Sequence, residues 1–343
     1  MKVLSNRFSW RMYALSGLVL VGVMLLCICA GSVSIPLSDT LTAMWNTLWG
    51  MEVPEGISKS IILNVRLPRV LNVALVGAAL SLCGAAMQGL LRNPLADGST
   101  LGVSGGASLG AVIALAFGIR IPGSAYGGTM VMAMIFAFLS LAAILALAYA
   151  LDRTLSTHSI ILLGVIFSML FSSVITLIIS FSEEHIKSIT FWTMGSLAGT
   201  QFSHTRILTL AVLVCGAVLL RCSRELNAFA ISEDNARHIG VNVKRVKLAV
   251  LIAVSALIGI CVSIAGCISF VGLVVPHMTR MLTGPNHRRL LPASMLFGAV
   301  FLLLADLAAR TLLSPIELSI GVVTSLVGAA AFILIFYRTR KAG

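Results

Sequence analysis

The chain has 343 residues, 58% hydrophobic and 10% charged, with a mean hydropathy of +1.03 and a formal net charge of +12. It is too apolar to fold with water on all sides, which excludes an ordinary soluble domain and a disordered segment. Its basic residues are not interleaved with aromatics, so nucleic acid is not an expected partner.

Apolar runs bounded by charge, Pro or Gly predict helices near 12–31, 67–91, 99–118, 126–151, 158–181, 206–221, 244–264, 267–282, 290–310 and 317–337. At roughly 20 residues per span this is about ten crossings. The pattern predicts one all-α polytopic membrane domain over residues 1–343. The basic start Lys2–Arg11 and apolar Met12–Ala30 imitate a signal peptide. The run is long enough to span and no Ala-x-Ala site follows, so it reads as an uncleaved first helix.

In chain order, Leu71–Leu91 has almost no polar face, and its small residues suit close helix packing in lipid. Asn93-Pro94-Leu95-Ala96-Asp97 reads as a turn at the inner surface. The spacings Gly102/Gly106/Gly110 and Gly195/Gly199 read as packing contacts. The 158–181 helix carries Gly164, Ser168, Ser172, Thr176 and Ser180 at intervals of four. The 317–337 helix carries Gly321, Thr324, Ser325 and Gly328 on one side. Small and hydroxyl residues suit either a path for a bulky solute or tight packing, and spacing alone does not separate the two. Phe191–Phe202 is amphipathic and too short to span, which predicts a helix at the surface.

The stretch Arg224–Lys247 has an N-cap at Ser232 followed by Glu233 and Asp234, and a stop at Gly240. A short capped helix between two spans reads as a surface for another protein. Pro276-His277 reads as structural. Asp306 is the clearest intramembrane carboxylate, and Arg310 one turn later makes a structural ion pair the favoured reading over a proton relay. The seven cysteines lie in or beside apolar runs without a CxxC pair and read as packed free thiols. No residue pattern calls for a metal or a cofactor.

With the N-terminus inside, only Lys59, Arg66, Arg69, Arg120, Lys187, Arg206 and Arg310 of the 24 Lys and Arg fall in outer segments. The bias favours both termini in the cytoplasm. No GxxxxGK[ST] loop occurs, so the chain is not expected to be an ATP-hydrolysing enzyme. It reads as a passive conduit worked by something else.

Four segments together carry a resemblance: VRLPRVLNVALVGAALSLCGAAMQGLLRNPLADGSTLGVSGGASLGA, the loop around ISEDNARHIGV, FVGLVVPHMTR, and LLLADLAARTLL followed by ELSIGVVTSLVGAAAF. In this order they resemble the FecCD family, permease subunits of binding-protein-dependent ABC importers for iron–siderophore complexes, haem and vitamin B12. One departure is Gly328-Ala329-Ala330-Ala331-Phe332, where the family usually has a proline after Gly-Ala. The loss removes an expected kink.

The resemblance implies a BtuC-like type II ABC importer fold in the bacterial inner membrane. It also implies a second copy or close paralogue, two cytoplasmic ATPase subunits and an extracytoplasmic binding protein. It assigns Arg66, Arg69 and Arg310 to binding-protein docking at the outer face. Glu233, Asp234, Ala236, Arg237 and Gly240, within a coupling loop of about 225–243, are assigned to the ATPase contact. The hydroxyl-bearing faces of the 158–181 and 317–337 helices are assigned to the translocation path. An iron–siderophore cargo is preferred, then haem, then cobalamin. An ion-coupled secondary carrier is the alternative, followed by a membrane scaffold.

Overall fold

The computed structural model describes residues 9–31, 35–52, 57–121, 127–153 and 156–341. Lys2, Arg7 and position 126, which entered the topology and span readings, lie outside the described residues.

The described chain is helical throughout its length. It begins with α1 (Trp10–Cys29), α2 (Leu37–Leu48), α3 (Ile57–Ser60), a π-helical turn (Ile61–Arg66) and α4 (Leu67–Leu91). After a short 3-10 segment at Gly98–Leu101 come α5 (Val103–Ala116), α6 (Gly127–Leu151), α7 (Thr157–Ser180), α8 (Ile186–Thr193) and α9 (Phe202–Arg221). The chain closes with α10 (Ser223–Phe229), α11 (Glu233–His238), α12 (Val243–Ala265), α13 (Val271–Thr283), α14 (His287–Thr311) and α15 (Ile320–Lys341). Among the described residues seven helical stretches are long and apolar enough to cross a membrane: α1, Ile61–Leu91, α6, α7, α9, α12 and α14. The all-α polytopic expectation holds.

The centre of the bundle is α4, which packs most extensively against α14. They approach so closely because glycines face each other. A Cβ on Gly298 would run into the Gly77 carbonyl, and one on Gly84 into the backbone of Gly272 on α13. Backbones in contact maximise dispersion where lipid offers no hydrophobic drive.

Contacts along these helices define two ends. At one, the Tyr13 hydroxyl donates to the Arg289 carbonyl at 3.0 Å, and Gly89 lies against the His287 ring. At the other, the Cys27 thiol donates to the Leu303 carbonyl at 3.5 Å and Arg69 meets Asp306. Hence α1 and α14 run the same way and α4 runs opposite.

Two irregular segments lead into short helices. Before α5 the chain is non-helical from Asn93 to Asp97, and before α13 from Gly266 to Ser269. Gly102 and Phe270, capping the two helices, both have positive φ (70° and 69°). The first turns at the surface, with Leu95 exposed, before Ala96 is buried; at buried Gly266 irregular backbone is tolerated because protein surrounds it.

Two sequence readings change, one element is new and one expectation holds. The surface helix expected over Phe191–Phe202 is instead α8, which ends at Thr193; the next residues turn at Gly195 and Gly199, both with positive φ. Gly195 packs against the Cys267 carbonyl, but nothing approaches Gly199, so its glycine serves the turn and not helix packing. Amphipathic α2 went unforeseen, because Leu37–Leu48 has neither the length nor the hydropathy of a span. Finally, α15 is continuous through Ala330, as the missing proline leads one to expect.

Candidate functional site

The polar end of the bundle is organised by arginines. The guanidinium of Arg66 donates to the carbonyls of Ile28 (2.6 Å) and Cys29 (2.8 Å), and that of Arg310 to Cys27 (3.2 Å) and Ala30 (3.4 Å). These carbonyls close the last turn of α1, which has no intrahelical partners for them, and positive charge at a helix C-terminus is favourable. Arg69 reaches in two directions. It donates to Asp306 at 2.9 and 3.1 Å and to Glu317 at 2.9 Å. Asp306 is sealed from solvent and also pairs with Arg310 at 3.0 Å, one helical turn away. The intrahelical pair read from sequence is therefore present. All three arginines are buried in this single chain, with Glu317 the most open member of the group.

At the opposite end, α10 and α11 lie against the starts of α7, α12 and α14. Ser232 caps α11, accepting from the Asn235 amide at 2.9 Å, and Gly240 beyond it has φ +86°. Ala236 is buried, whereas Asp234, Arg237 and Gly240 are exposed, the first two paired at 3.6 Å. Ile231 and Ile239 flank α11 and are each 71% exposed. Two large bare aliphatic side chains beside exposed charge make a surface suited to a partner. Glu233 differs from its neighbours, since its carboxylate turns inward to Lys247 at 2.7 Å. On the adjacent α10, Asn227 accepts from the His287 amide at 2.8 Å and donates to Asn286 at 3.0 Å, tying α10 to α14.

Between the ends lies a cavity of about 230 Å³, walled by α7, the start of α5 and the approach to α13. Ser168 and Ser172 line it together with Ser104, Ser108, Ser269 and Asp97. Farther along α7, Thr176 and Ser180 are exposed and return their hydroxyls to carbonyls one turn back. Gly164 is buried, its carbonyl facing Gly102. On α15 the predicted set divides. Gly321 packs against the Met194 and Cys267 carbonyls, Gly328 packs against the Phe270 ring, and buried Thr324 donates to the Gly321 carbonyl at 3.1 Å. These three serve packing; Ser325 is half-buried.

The sequence reading missed Asp97, Ser104, Ser108 and Ser269 as cavity residues. Asp97 falls in the stretch read as a surface turn, whereas Ser104, Ser108 and Ser269 fall in the runs read as spans at 99–118 and 267–282. The turn exists, with the Leu95 amide bonded to the Asn93 side chain at 2.9 Å. The chain beyond it re-enters the bundle, so that Gly98 lies against Ile258.

A cavity lined by serines and aliphatic side chains, inside a bundle of apolar spans, is the arrangement of a multi-pass membrane protein. A family model for the FecCD transport family matches residues 18–338. The chain is 43% identical over 319 residues to the uncharacterised ABC transporter permease protein YvrB of Bacillus subtilis, covering 92% of this chain and 90% of that one. It is 35% identical over 328 residues to the molybdate import system permease protein MolB of Haemophilus influenzae, covering 95% and 94%. A solved chain described as an inward-facing metal-chelate type ABC transporter superposes with a TM-score of 0.84 at 33% identity, covering 96% of this chain and 99% of that one. The chain belongs to the FecCD transport family and is an ABC-transporter permease of the bacterial cytoplasmic membrane.

Proposed function

We propose that the chain forms one half of an importer's translocation path, paired with a second copy or a close paralogue, with about ten crossings and both termini cytoplasmic. The observation that carries this reading is the placement of three features along one axis. The arginine cluster occupies one end, the exposed α10–α11 surface the other, and the serine-lined cavity lies between. Two ATPase subunits dock on the α11 side, where Asp234, Arg237, Gly240, Ile231 and Ile239 face outward and Ala236 and Glu233 hold the helix in place. A binding protein docks at the end holding Arg66, Arg69 and Arg310. Of their carboxylate partners Glu317 is the replaceable one, because it sits at the open rim and a partner's carboxylate could take its place on Arg69.

The path follows Ser168, Ser172, Thr176 and Ser180 on α7 and Ser325 on α15, while Gly164, Gly321, Thr324 and Gly328 set the spacing of the walls. Weak hydroxyl contacts hold a partly polar cargo without trapping it. The cargo is an iron–siderophore complex, with haem and cobalamin next. The metal-chelate transporter of known structure supports this class. Molybdate is the reading favoured by the Haemophilus influenzae relative.

The test is reconstitution in liposomes with ATPase subunits and binding protein, offering a ferric hydroxamate, haemin, cobalamin and molybdate separately. ATP-dependent uptake of a chelate supports the proposal. Uptake that ignores ATP and collapses with the proton gradient would select the ion-coupled carrier.

A further inference from the structure

Glu233 occupies a junction of three helices. It is the first residue of α11, and its Oε1 receives Lys247 from the second turn of α12 at 2.7 Å and the Thr157 hydroxyl, first residue of α7, at 3.2 Å. Lys247 is 1% exposed, so its ammonium gains a counter-charge from the carboxylate, and the carboxylate in turn is held in one place. A buried charge-assisted pair resists being pulled apart far more than a solvated one.

The three helices are unequally held. In α12, 67% of the most apolar window is buried within the chain, but in α7 only 17%. Of the two spans joined at Glu233, α7 is therefore the one less held by its own chain. It is also the helix whose Ser168 and Ser172 form a cavity wall. Meanwhile α10 is fastened elsewhere, to the start of α14 through Asn227. The Glu233 carboxylate thus gives movement of α11 a polar route into α7.

We infer that Glu233 is a positioning residue that transmits displacement of α11 to α7 through Thr157, with Lys247 fixing its carboxylate. The inference rests on the importer reading above and gives Glu233 an inward role distinct from direct ATPase contact.

The test uses the permease in lipid nanodiscs with the ATPase subunits that co-purify with it. Spin labels are placed by bio-orthogonal chemistry at Met169 on α7 and Leu304 on α14, both exposed. The label separation is measured without nucleotide and with Mg-ATP. The wild type is expected to change its separation on ATP binding. Thr157→Val cuts only the hydroxyl link, and is expected to reduce that change at least about twofold, because one hydrogen bond to a carboxylate is lost. Thr157→Ser restores it, and subunit binding and ATP hydrolysis stay at wild-type rates. Glu233→Gln, which keeps the shape and removes the charge, reduces the change as well. A purely structural role for Thr157 would lower the unfolding temperature and leave the ATP-dependent change whole. If the wild type responds and both variants respond equally, the link is overturned while the importer reading stands. If no ATPase subunit binds, or the wild type does not respond to ATP, the importer reading falls and takes this link with it.

Discussion

Arg69 on α4 and Asp306 on α14 lie 2.9 Å apart, and the same carboxylate meets Arg310 at 3.0 Å. One buried negative charge thus balances guanidiniums on two helices and fixes how α4 and α14 align. Asp306→Asn is expected to destabilise the protein by about 3–5 kcal/mol, since it leaves buried positive charge uncompensated. Glu317→Gln, at the open rim, should cost less than about 1 kcal/mol. Thermal unfolding in detergent micelles, read by near-UV circular dichroism, checks both.

Gly298→Ala puts a methyl group where the Gly77 carbonyl and Ser81 side chain already sit. The helices must separate, and a loss of about 1–3 kcal/mol is expected from overpacking. Gly17→Ala and Gly22→Ala on α1 have open space around the added carbon and should leave stability level or raise it by up to about 1 kcal/mol through helix propensity. The same unfolding measurement distinguishes them.

Cysteine accessibility separates path from packing on the two helices with similar composition. Ser172→Cys faces the cavity and should react with a small water-soluble maleimide at least about tenfold faster than Thr324→Cys, whose parent side chain is fully buried. Equal rates would remove the distinction drawn between α7 and α15.

The exposed face of α11 is where stability and partnership come apart. Arg237→Glu lies away from the packed interior, so folding stability should move by no more than about 0.5 kcal/mol. Affinity for the ATPase subunits should fall by about tenfold as one interfacial charge reverses, and uptake should fall with it. Surface-immobilised permease in nanodiscs, titrated with ATPase subunits, gives the number.

Along α2, Leu37, Leu41, Trp45 and Trp49 are exposed at helical spacing, while Thr40 and Ala43 are buried. The two indoles lie 5.8 Å apart. Tryptophan prefers the boundary between hydrocarbon and water. Trp45 and Trp49 should be quenched most strongly by lipids brominated near the headgroup. Stronger quenching by lipids brominated near the chain ends would place α2 deeper.

Much of this architecture was legible because lipid imposes a simple rule: helix-length apolar runs must be helices. The run at 67–91 coincides with α4 to the residue, and those at 126–151, 158–181 and 244–264 lie within a residue of their helices at each end. The cap at Ser232 was legible for a similar reason, because a side chain that satisfies an orphan amide is local chemistry. Less accessible was anything decided by the third dimension. That Glu233 points inward and Asp234 outward depends on Lys247, fourteen positions from Glu233 on another helix. The role of Asp97 depended on a chain that turns at the surface and then climbs back inside. Gly321 and Ser172 belong to equally plausible small-residue stripes; only their neighbours assign one to a packed seam and the other to a void.

The unbroken course of α15 has a mechanical consequence. Gly321 near its start is wedged against Met194 and Cys267, and Phe332 three turns on stacks edgewise on His277 at 6.3 Å. Without a proline between them, the rod has no built-in kink. A tilt imposed at either contact is passed along the rod toward the other.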